Sequence, residues 1–352
     1  MLASLAYYAR NTRGPQFSLL SPMNEPDWNG IEGPRVDQFQ YGRLRQKLSQ
    51  KLDAIGLSVI HFVGPDTASV GTGGNNYFPE MFANPTVMSK LDHFGLHNYA
   101  GYSDGAATAI KHSANPTKSF WITEVTNIGD ILSHQGQGSA AILVWDAYDS
   151  YYNHGRGPDP GNGPALLAYD CTSGTYMPRK GLYECAQLFK VVSLGARRIG
   201  AKASDAELIV YTFYHPVSER ITIVGRSIDS SDMTITGTLT NLPTVSSPEF
   251  YRTNASAALR RGTDVLVTNG SFSAIISPDS ILTLTTFKAP HDIILPAAAT
   301  GHTVTPLPLP SKPLKGCLYF ECRVMQANRK WKRIGALCVE KRCLALECEI
   351  VQ

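Results

Sequence analysis

The stretch FSLLSPMNEPDW, residues 17–28, decides how the first part of the chain folds. An apolar run typical of a buried β-strand stops at Asn24-Glu25-Pro26, because proline lacks the N–H for a sheet hydrogen bond and restricts the residue before it. The stretch KSFWITEVT, residues 118–126, repeats this design with Glu124 after its apolar run. Each stretch therefore predicts a strand that presents one glutamate at its C-terminal end.

Helical and extended periodicities alternate around these two stretches. Five strands separated by helical segments indicate parallel βα units rather than an antiparallel sheet. The C-terminal ends of such strands meet at one edge, where α/β barrels keep their catalytic residues. The strands are predicted at 17–23, 57–63, 93–96, 120–123 and 140–145, and the helices at 2–10, 36–55, 79–89, 105–112 and 181–192.

Beyond residue 197 the pattern changes to short alternating runs rich in β-branched residues, separated by turn sequences such as Asn269-Gly270. Such runs predict an antiparallel β-sandwich. We therefore predict an α/β domain over 1–196, the sandwich over 197–290, and a proline-rich linker with a basic, cysteine-rich tail over 291–352. We expect this tail to be poorly ordered and to contribute nothing to a functional site.

Charge and hydropathy restrict the partners of the chain. Residues 301–352 hold nine Lys or Arg against four Asp or Glu, which leaves 23 against 25 in residues 1–300. The nearly neutral body argues against nucleic acid as a partner. No run reaches the roughly 20 apolar residues of a membrane span. The sequence as given shows no signal peptide at its start.

Cysteine is concentrated in the tail, since only Cys171 and Cys185 lie in the first 300 residues. These two can form a disulfide or remain as two buried thiols. The spacings of the tail cysteines fit no usual zinc pattern, and no metal site is predicted. Two glycosylation sequons, at Asn254 and Asn269, are compatible with a secreted protein.

Four motifs at strand ends resemble one group of enzymes. Asn24-Glu25-Pro26, His97-Asn98-Tyr99, Glu124 and Trp145 follow the order of strands four, six, seven and eight in retaining glycoside hydrolases with a TIM barrel. With a β-sandwich behind them, the chain looks closest to glycoside hydrolase family 30, which includes β-glucosylceramidases, β-1,6-glucanases, β-1,6-galactanases and xylanases. The resemblance covers about residues 1–290. It implies a partial (β/α)8 TIM barrel, N-terminally truncated, that lacks about its first three strands.

The resemblance implies hydrolysis of a β-glycosidic bond by a retaining mechanism with two glutamates. One carboxylate attacks the anomeric carbon while the other group protonates the leaving oxygen, about 5 to 5.5 Å away. By this resemblance Glu25 is the acid/base and Glu124 is the nucleophile. No metal or cofactor is implied. The substrate-binding residues implied or added as candidates are Asn24 at the sugar 2-hydroxyl, Tyr99 as a donor to Glu124, His97, Trp28 and Trp145.

Each of these residues also has a structural interpretation. A glutamate at a strand end can cap a helix or form a surface ion pair, His97 can be a structural histidine, and the tryptophans can be packing residues. The glycine-rich Gly71-Thr72-Gly73-Gly74 lacks the following Lys-Ser/Thr of a phosphate-binding loop, so we predict a loop at the rim of the cleft.

Three functions are therefore open from the sequence. The first is a secreted retaining glycosidase that acts on a β-linked glycan and is monomeric when complete, of which this chain is a fragment. The second is a non-catalytic remnant that binds carbohydrate. The third is an unrelated open α/β protein.

Overall fold

The computed structural model describes residues 1–28, 33–100, 104–126, 128–150, 165–170, 175–288, 323–325 and 331–333. The chain divides into two compact units, Met1–Trp145 and Asp146–Gln352. The domain boundaries predicted from the sequence stay predictions, and most of the cysteine-rich tail falls outside the described residues. Cys171 also falls outside them. Cys185 carries a buried free thiol, and burial raises its pKa to about 12.

The first unit is built on five parallel strands that lie in sequence order. They form an open, curled half-barrel, which confirms the predicted partial TIM barrel. The strands are β1 (Leu19–Leu20), β2 (His61–Ser69), β3 (Leu91–Ala100), β4 (Ser119–Val125) and β5 (Ala141–Val144).

Helices precede and connect these strands. The longest, α2, starts with a capping box, in which the Gln40 N–H donates to the Asp37 side chain at 2.7 Å and the Asp37 N–H donates to the Gln40 side chain at 3.3 Å. The helices are α1 (Leu2–Tyr8), α2 (Gln38–Ala54), α3 (Val70–Thr72), α4 (Phe78–Phe82), α5 (Pro85–Ser89), α6 (Asp104–Lys111) and α7 (Ile128–Gly136), with π-helical turns at Ala9–Arg13 and Gly73–Tyr77.

The single helix predicted over residues 79–89 is wrong, because the segment forms the two short helices α4 and α5. Pro85 has no N–H with which to continue the preceding turn. The side chain of Asn84 caps the new helix by accepting from the Val87 N–H at 3.2 Å.

The loop predicted at residues 71–74 is also wrong, since these residues lie in α3 and the π-helical turn that follows it. Gly73 permits close packing there. At Gly73, a Cβ atom would lie 2.3 Å from Cδ2 of Leu96 and 2.5 Å from Oγ1 of Thr67.

An aromatic cluster packs α4 against β3. The ring centroid of Phe94 lies 4.4 Å from that of Phe78 and 5.4 Å from that of Phe82. Phe78 and Phe94 are both completely buried. Because this cluster joins a helix to Phe94 in the N-terminal half of β3, it stabilises the middle strand of the sheet.

The second unit begins with a small sheet of β6 (Tyr148–Ser150), β7 (Leu167–Asp170) and β8 (Thr175–Pro178), followed by α8 (Lys180–Phe189). A short hairpin of β18 (Arg323–Met325) and β19 (Trp331–Arg333) lies near its end. Between them are β9 (Arg197–Ile199), β10 (Leu208–His215), β11 (Arg220–Ser227), β12 (Met233–Thr238), β13 (Glu249–Asn254), β14 (Ala257–Arg261), β15 (Val267–Thr268), β16 (Ser271–Ile276) and β17 (Ser280–Thr285).

These nine strands form the predicted antiparallel sandwich. A six-stranded sheet in the order β14-β13-β17-β11-β10-β9 and a three-stranded sheet in the order β12-β16-β15 contribute to one core. Both sheets supply buried side chains to it, such as Leu284 from the first and Ile276 from the second. Within the described residues, no helix has the length and apolar character needed to cross a membrane.

We predict that Phe94→Ala lowers the free energy of unfolding of the first unit by about 3–5 kcal/mol, because it removes a fully buried ring from the aromatic cluster. Urea unfolding followed by circular dichroism measures the change. Phe39→Ala is the matched control, since Phe39 is 53% exposed, and we expect its effect to stay within about 0.5 kcal/mol. Equal losses in the two variants would contradict this account of the core.

Candidate active site

A cleft opens at the C-terminal edge of the parallel sheet, and the described residues that line it all belong to the first unit. Its volume of about 590 Å³ is within the usual range of ligand-binding pockets. It brings together both glutamates predicted to be catalytic and three of the aromatic residues predicted to bind substrate. The described residues that line it are Glu25, Asp27, Trp28, Ala68, Ser69, Thr72, Tyr99, Glu124 and Trp145.

A buried histidine contacts both glutamates. The parallel register of β3 and β4 pairs His97 with Glu124. Nδ1 of His97 lies 3.0 Å from Oε1 of Glu25 and 3.5 Å from Oε2 of Glu124. His97 is only 2% exposed and is not among the described residues that line the cleft. The structure therefore places it against the glutamates rather than on the surface of the cleft.

The separation of the Glu25 and Glu124 carboxyl groups can be compared with those of retaining and inverting glycosidases. One oxygen of Glu25, one oxygen of Glu124 and a ring nitrogen of His97 all lie within 4.8 Å of one another. Carboxyl groups of retaining glycosidases lie about 5–5.5 Å apart, whereas those of inverting enzymes lie about 6.5–9.5 Å apart. The observed spacing is thus short enough for one carboxylate to attack a sugar while the other group protonates its leaving oxygen.

Tyr99, on β3, forms a hydrogen bond with Glu124. Its hydroxyl donates a hydrogen bond to Oε1 of Glu124. Its ring packs edge-on against His97 at a centroid distance of 6.1 Å and is 49% exposed. Tyr99 therefore orients Glu124 and also presents an aromatic surface to the cleft.

Glu25 lies in a turn rather than at the strand end predicted from the sequence. The strand predicted over 17–23 ends at Leu20, because Pro22 cannot donate to a sheet. Glu25 has a left-handed backbone with φ of 41°, which is unfavourable for a residue other than glycine. Its N–H donates to the carbonyl of Asp66 at 2.9 Å, and its carbonyl accepts from the Trp28 N–H at 3.0 Å. These hydrogen bonds stabilise the strained conformation.

Asp27, Ser69 and Thr72 also line the cleft, although their sequence context did not predict them as site residues. The Asp27 carboxylate accepts from the backbone N–H of Ala68 at 2.8 Å and from that of Ser69 at 3.2 Å. Ser69 Oγ in turn accepts from the Thr72 N–H at 3.2 Å. The helix-capping preference of serine is a local signal that could have identified Ser69. The Asp27 side chain thus connects the turn that contains Glu25 with the end of β2 through these hydrogen bonds.

The remaining predicted residues differ in their placement. Trp28 is 52% exposed at the cleft, and Trp145 is half-buried, with its backbone N–H donating to Val125 at 2.9 Å. Asn24 is exposed and is not among the described residues that line the cleft. The cleft therefore includes the two predicted tryptophans but not the side chain predicted to bind the sugar 2-hydroxyl.

Within the described part of the chain, Glu25, His97 and Glu124 are also the group of side chains whose donor atoms lie close enough to share a metal ion. Two carboxylate oxygens and one imidazole nitrogen suit a divalent ion such as zinc. Retaining hydrolysis by two carboxyl groups requires no metal. The absence of a metal and of a cofactor stays a prediction from the sequence.

Several solved structures share this fold. A family GH30 endoxylanase from Clostridium papyrosolvens is 18% identical, with a TM-score of 0.64 over 80% of this chain and 70% of the enzyme. An endo-β-1,6-glucanase is 16% identical, with a TM-score of 0.59 over 81% of this chain and 62% of the enzyme. A GH44 xyloglucanase from Paenibacillus polymyxa, solved with xyloglucan, is 12% identical, with a TM-score of 0.54 over 81% of this chain and 70% of the enzyme.

At these identities the likeness shows the fold. The half-barrel and the antiparallel sheets that follow it match the catalytic and β domains of GH30 enzymes. No protein-family model matches the chain, and no curated protein matches it in sequence.

We predict that Asp27→Ala lowers the free energy of unfolding of the first unit by about 1–3 kcal/mol, because two backbone N–H groups lose their acceptor. Urea unfolding measures the loss, and faster amide hydrogen exchange at Ala68 and Ser69 localises it. Asp53→Ala is the control, since the Asp53 side chain is 46% exposed and pairs with Lys90 at the surface. We expect it to cost no more than about 1 kcal/mol. Unchanged amide exchange at Ala68 and Ser69 in Asp27→Ala would contradict the stabilising role of these two hydrogen bonds.

Proposed function

We propose that this chain carries the catalytic site of a retaining β-glycoside hydrolase. The observation that supports it best is the shared contact of His97 with Glu25 and Glu124, which brings one oxygen of each carboxyl group within 4.8 Å of the other. The two groups lie in a cleft of suitable size at the sheet edge where α/β barrels perform their chemistry. Solved glycoside hydrolases of the same fold add support from the overall architecture.

Glu124 is the nucleophile in this proposal, and Glu25 is the acid/base. The Tyr99 hydroxyl donates to Glu124, and a hydrogen bond of this kind stabilises a carboxylate and fixes its direction. The same strand positions carry these roles in the family that the sequence resembles. Glu25 lies opposite, with its carboxyl group against the ring of His97.

The reaction then has two steps. The Glu124 carboxylate attacks the anomeric carbon, the bond to the leaving oxygen breaks, and that oxygen takes the proton of Glu25. A glycosyl ester on Glu124 results. In the second step Glu25 removes a proton from water, the water oxygen attacks the anomeric carbon, and the ester bond to Glu124 breaks. Two inversions leave the product with the configuration of the substrate.

The lining of the cleft supports a neutral glycan as the substrate. The rings of Trp28, Tyr99 and Trp145 offer apolar surfaces on which the faces of a sugar can stack. The described lining residues include three carboxyl groups and no lysine or arginine, an arrangement that disfavours phosphate and other anionic groups. The solved structures of similar fold include a xylanase, a β-1,6-glucanase and a xyloglucanase, which defines a panel of β-linked glycans to test.

Secretion is part of the same proposal, because polysaccharide substrates are met outside the cell. The sequon at Asn269 supports it, since Asn269 is exposed in the turn between β15 and β16. Asn254 is half-buried, and its side-chain oxygen accepts from Ser256. Asn269 is thus the better placed acceptor for a glycan.

We predict that Glu124→Ala lowers turnover of an aryl β-glycoside by about 10⁴-fold or more, since the covalent step is lost. Added azide should restore turnover and give a glycosyl azide of inverted configuration, because the small anion fits where the carboxylate was removed. Nuclear magnetic resonance of the products reads the configuration, and the unmodified chain should release the retained anomer. Asp53→Ala, on the surface of the same unit, is the control and should turn over normally.

The matching variant, Glu25→Ala, should turn over substrates with poor leaving groups about 10²–10⁴-fold more slowly. With dinitrophenyl glycosides, the rate of the first step, in which the glycosyl ester forms, should change little, because the leaving oxygen needs no proton. Equal losses with good and poor leaving groups, or an inverted product from the unmodified chain, would defeat the assignment. Binding of panel glycans without turnover in the unmodified chain would favour the non-catalytic carbohydrate-binding alternative instead.

A further inference from the structure

Asp66 is a buried acidic residue near the C-terminal end of β2 and is not among the described residues that line the cleft. Its side chain joins separate parts of the sheet. Oδ1 accepts from the Thr123 hydroxyl on β4 at 2.5 Å, and Oδ2 accepts from the Ser21 hydroxyl directly after β1. One carboxyl group thus connects the segment directly after β1 with β4.

This connection crosses β3, and a glycine on that strand makes room for it. Gly95 pairs with Pro65 of β2 on one side and with Trp121 of β4 on the other. A Cβ atom at Gly95 would lie 2.2 Å from Oδ1 of Asp66, a distance that two atoms cannot keep. The absence of a side chain at this position is therefore what lets the carboxyl group reach Thr123.

Asp66 is linked to both glutamates through neighbouring residues. Its own backbone carbonyl accepts from the N–H of Glu25 at 2.9 Å. Its side chain holds Thr123, the residue directly before Glu124. Asp66 has a left-handed backbone with φ of 57°, a conformation that is uncommon for residues other than glycine but more frequent for aspartate than for most.

We propose that Asp66 is a positioning residue that sets the separation of Glu25 and Glu124. The inference rests on the proposed function for its kinetic consequence but not for its geometry. A displacement of about 1 Å in a reacting group can cost about 10²-fold in rate. Loss of the Asp66 side chain frees Thr123 and Ser21 at once, so it should misplace the glutamates without removing any group that touches substrate.

The kinetic test compares three variants. Asp66→Ala should lower kcat by about 10²-fold and change KM by less than about threefold. Asp66→Asn should stay within about tenfold of the unmodified chain, because its amide oxygen can accept from Thr123 while its amide nitrogen donates to Ser21. Ser139→Ala is the control, since it removes a buried hydroxyl that bonds within the same sheet, donating to Ala141 at 2.7 Å, but contacts neither glutamate. It should keep kcat.

A crystallographic test needs no turnover. In Asp66→Ala, the distance from Nδ1 of His97 to Glu25 or to Glu124, now 3.0 and 3.5 Å, should increase by about 1 Å, while Asp66→Asn should keep both. Should Asp66→Ala not fold, Thr123→Val removes one of the two side-chain hydrogen bonds and provides the same readouts. Unchanged distances, or an equal loss of kcat in Ser139→Ala, would overturn the proposal. If the unmodified chain hydrolyses no glycan, the proposed function fails, yet these distances still decide the role of Asp66.

Discussion

The hydrogen-bonded register between the parallel strands β3 and β4 is the constraint on which the site depends. It places His97 beside Glu124, and the turn after β1 then needs only to bring Glu25 to the same ring nitrogen, Nδ1. Parallel strands joined by right-handed crossovers present their C-terminal ends at one edge, so residues 99 positions apart in sequence become neighbours. The cleft is a consequence of strand order more than of any single loop.

Much of this arrangement could be predicted from the sequence because apolar runs mark strands and the residues directly after them mark the edge of the sheet. Glu124 and Trp145 follow such runs, and both lie in the cleft. The alternating runs beyond residue 200 predicted the antiparallel sandwich for the same reason, since side chains of a strand alternate between core and solvent. Short-range periodicity was sufficient for both results.

Other features escaped prediction because they depend on contacts between residues far apart in sequence. β2 extends through the polar residues Asp66 and Thr67, which resemble a loop in composition but are buried. The left-handed turn at Glu25 is stabilised by the carbonyl of Asp66, which lies 41 residues later in the sequence. Asp27 accepts hydrogen bonds from backbone N–H groups at a similar sequence separation. No local pattern reports such a pairing, and none reports that Asn24 is not among the described residues that line the cleft.

The strict sequence order of the five parallel strands has a consequence for synthesis of the chain. Each strand pairs with the one made just before it, so every new pairing closes a single crossover and the sequence separation of contacts stays low. Trp145, the last described residue of the cleft, is translated before the first sandwich strand, which begins at Arg197. The strand pairings that assemble the cleft can therefore form in sequence order during translation, because each strand pairs with one that has already been made.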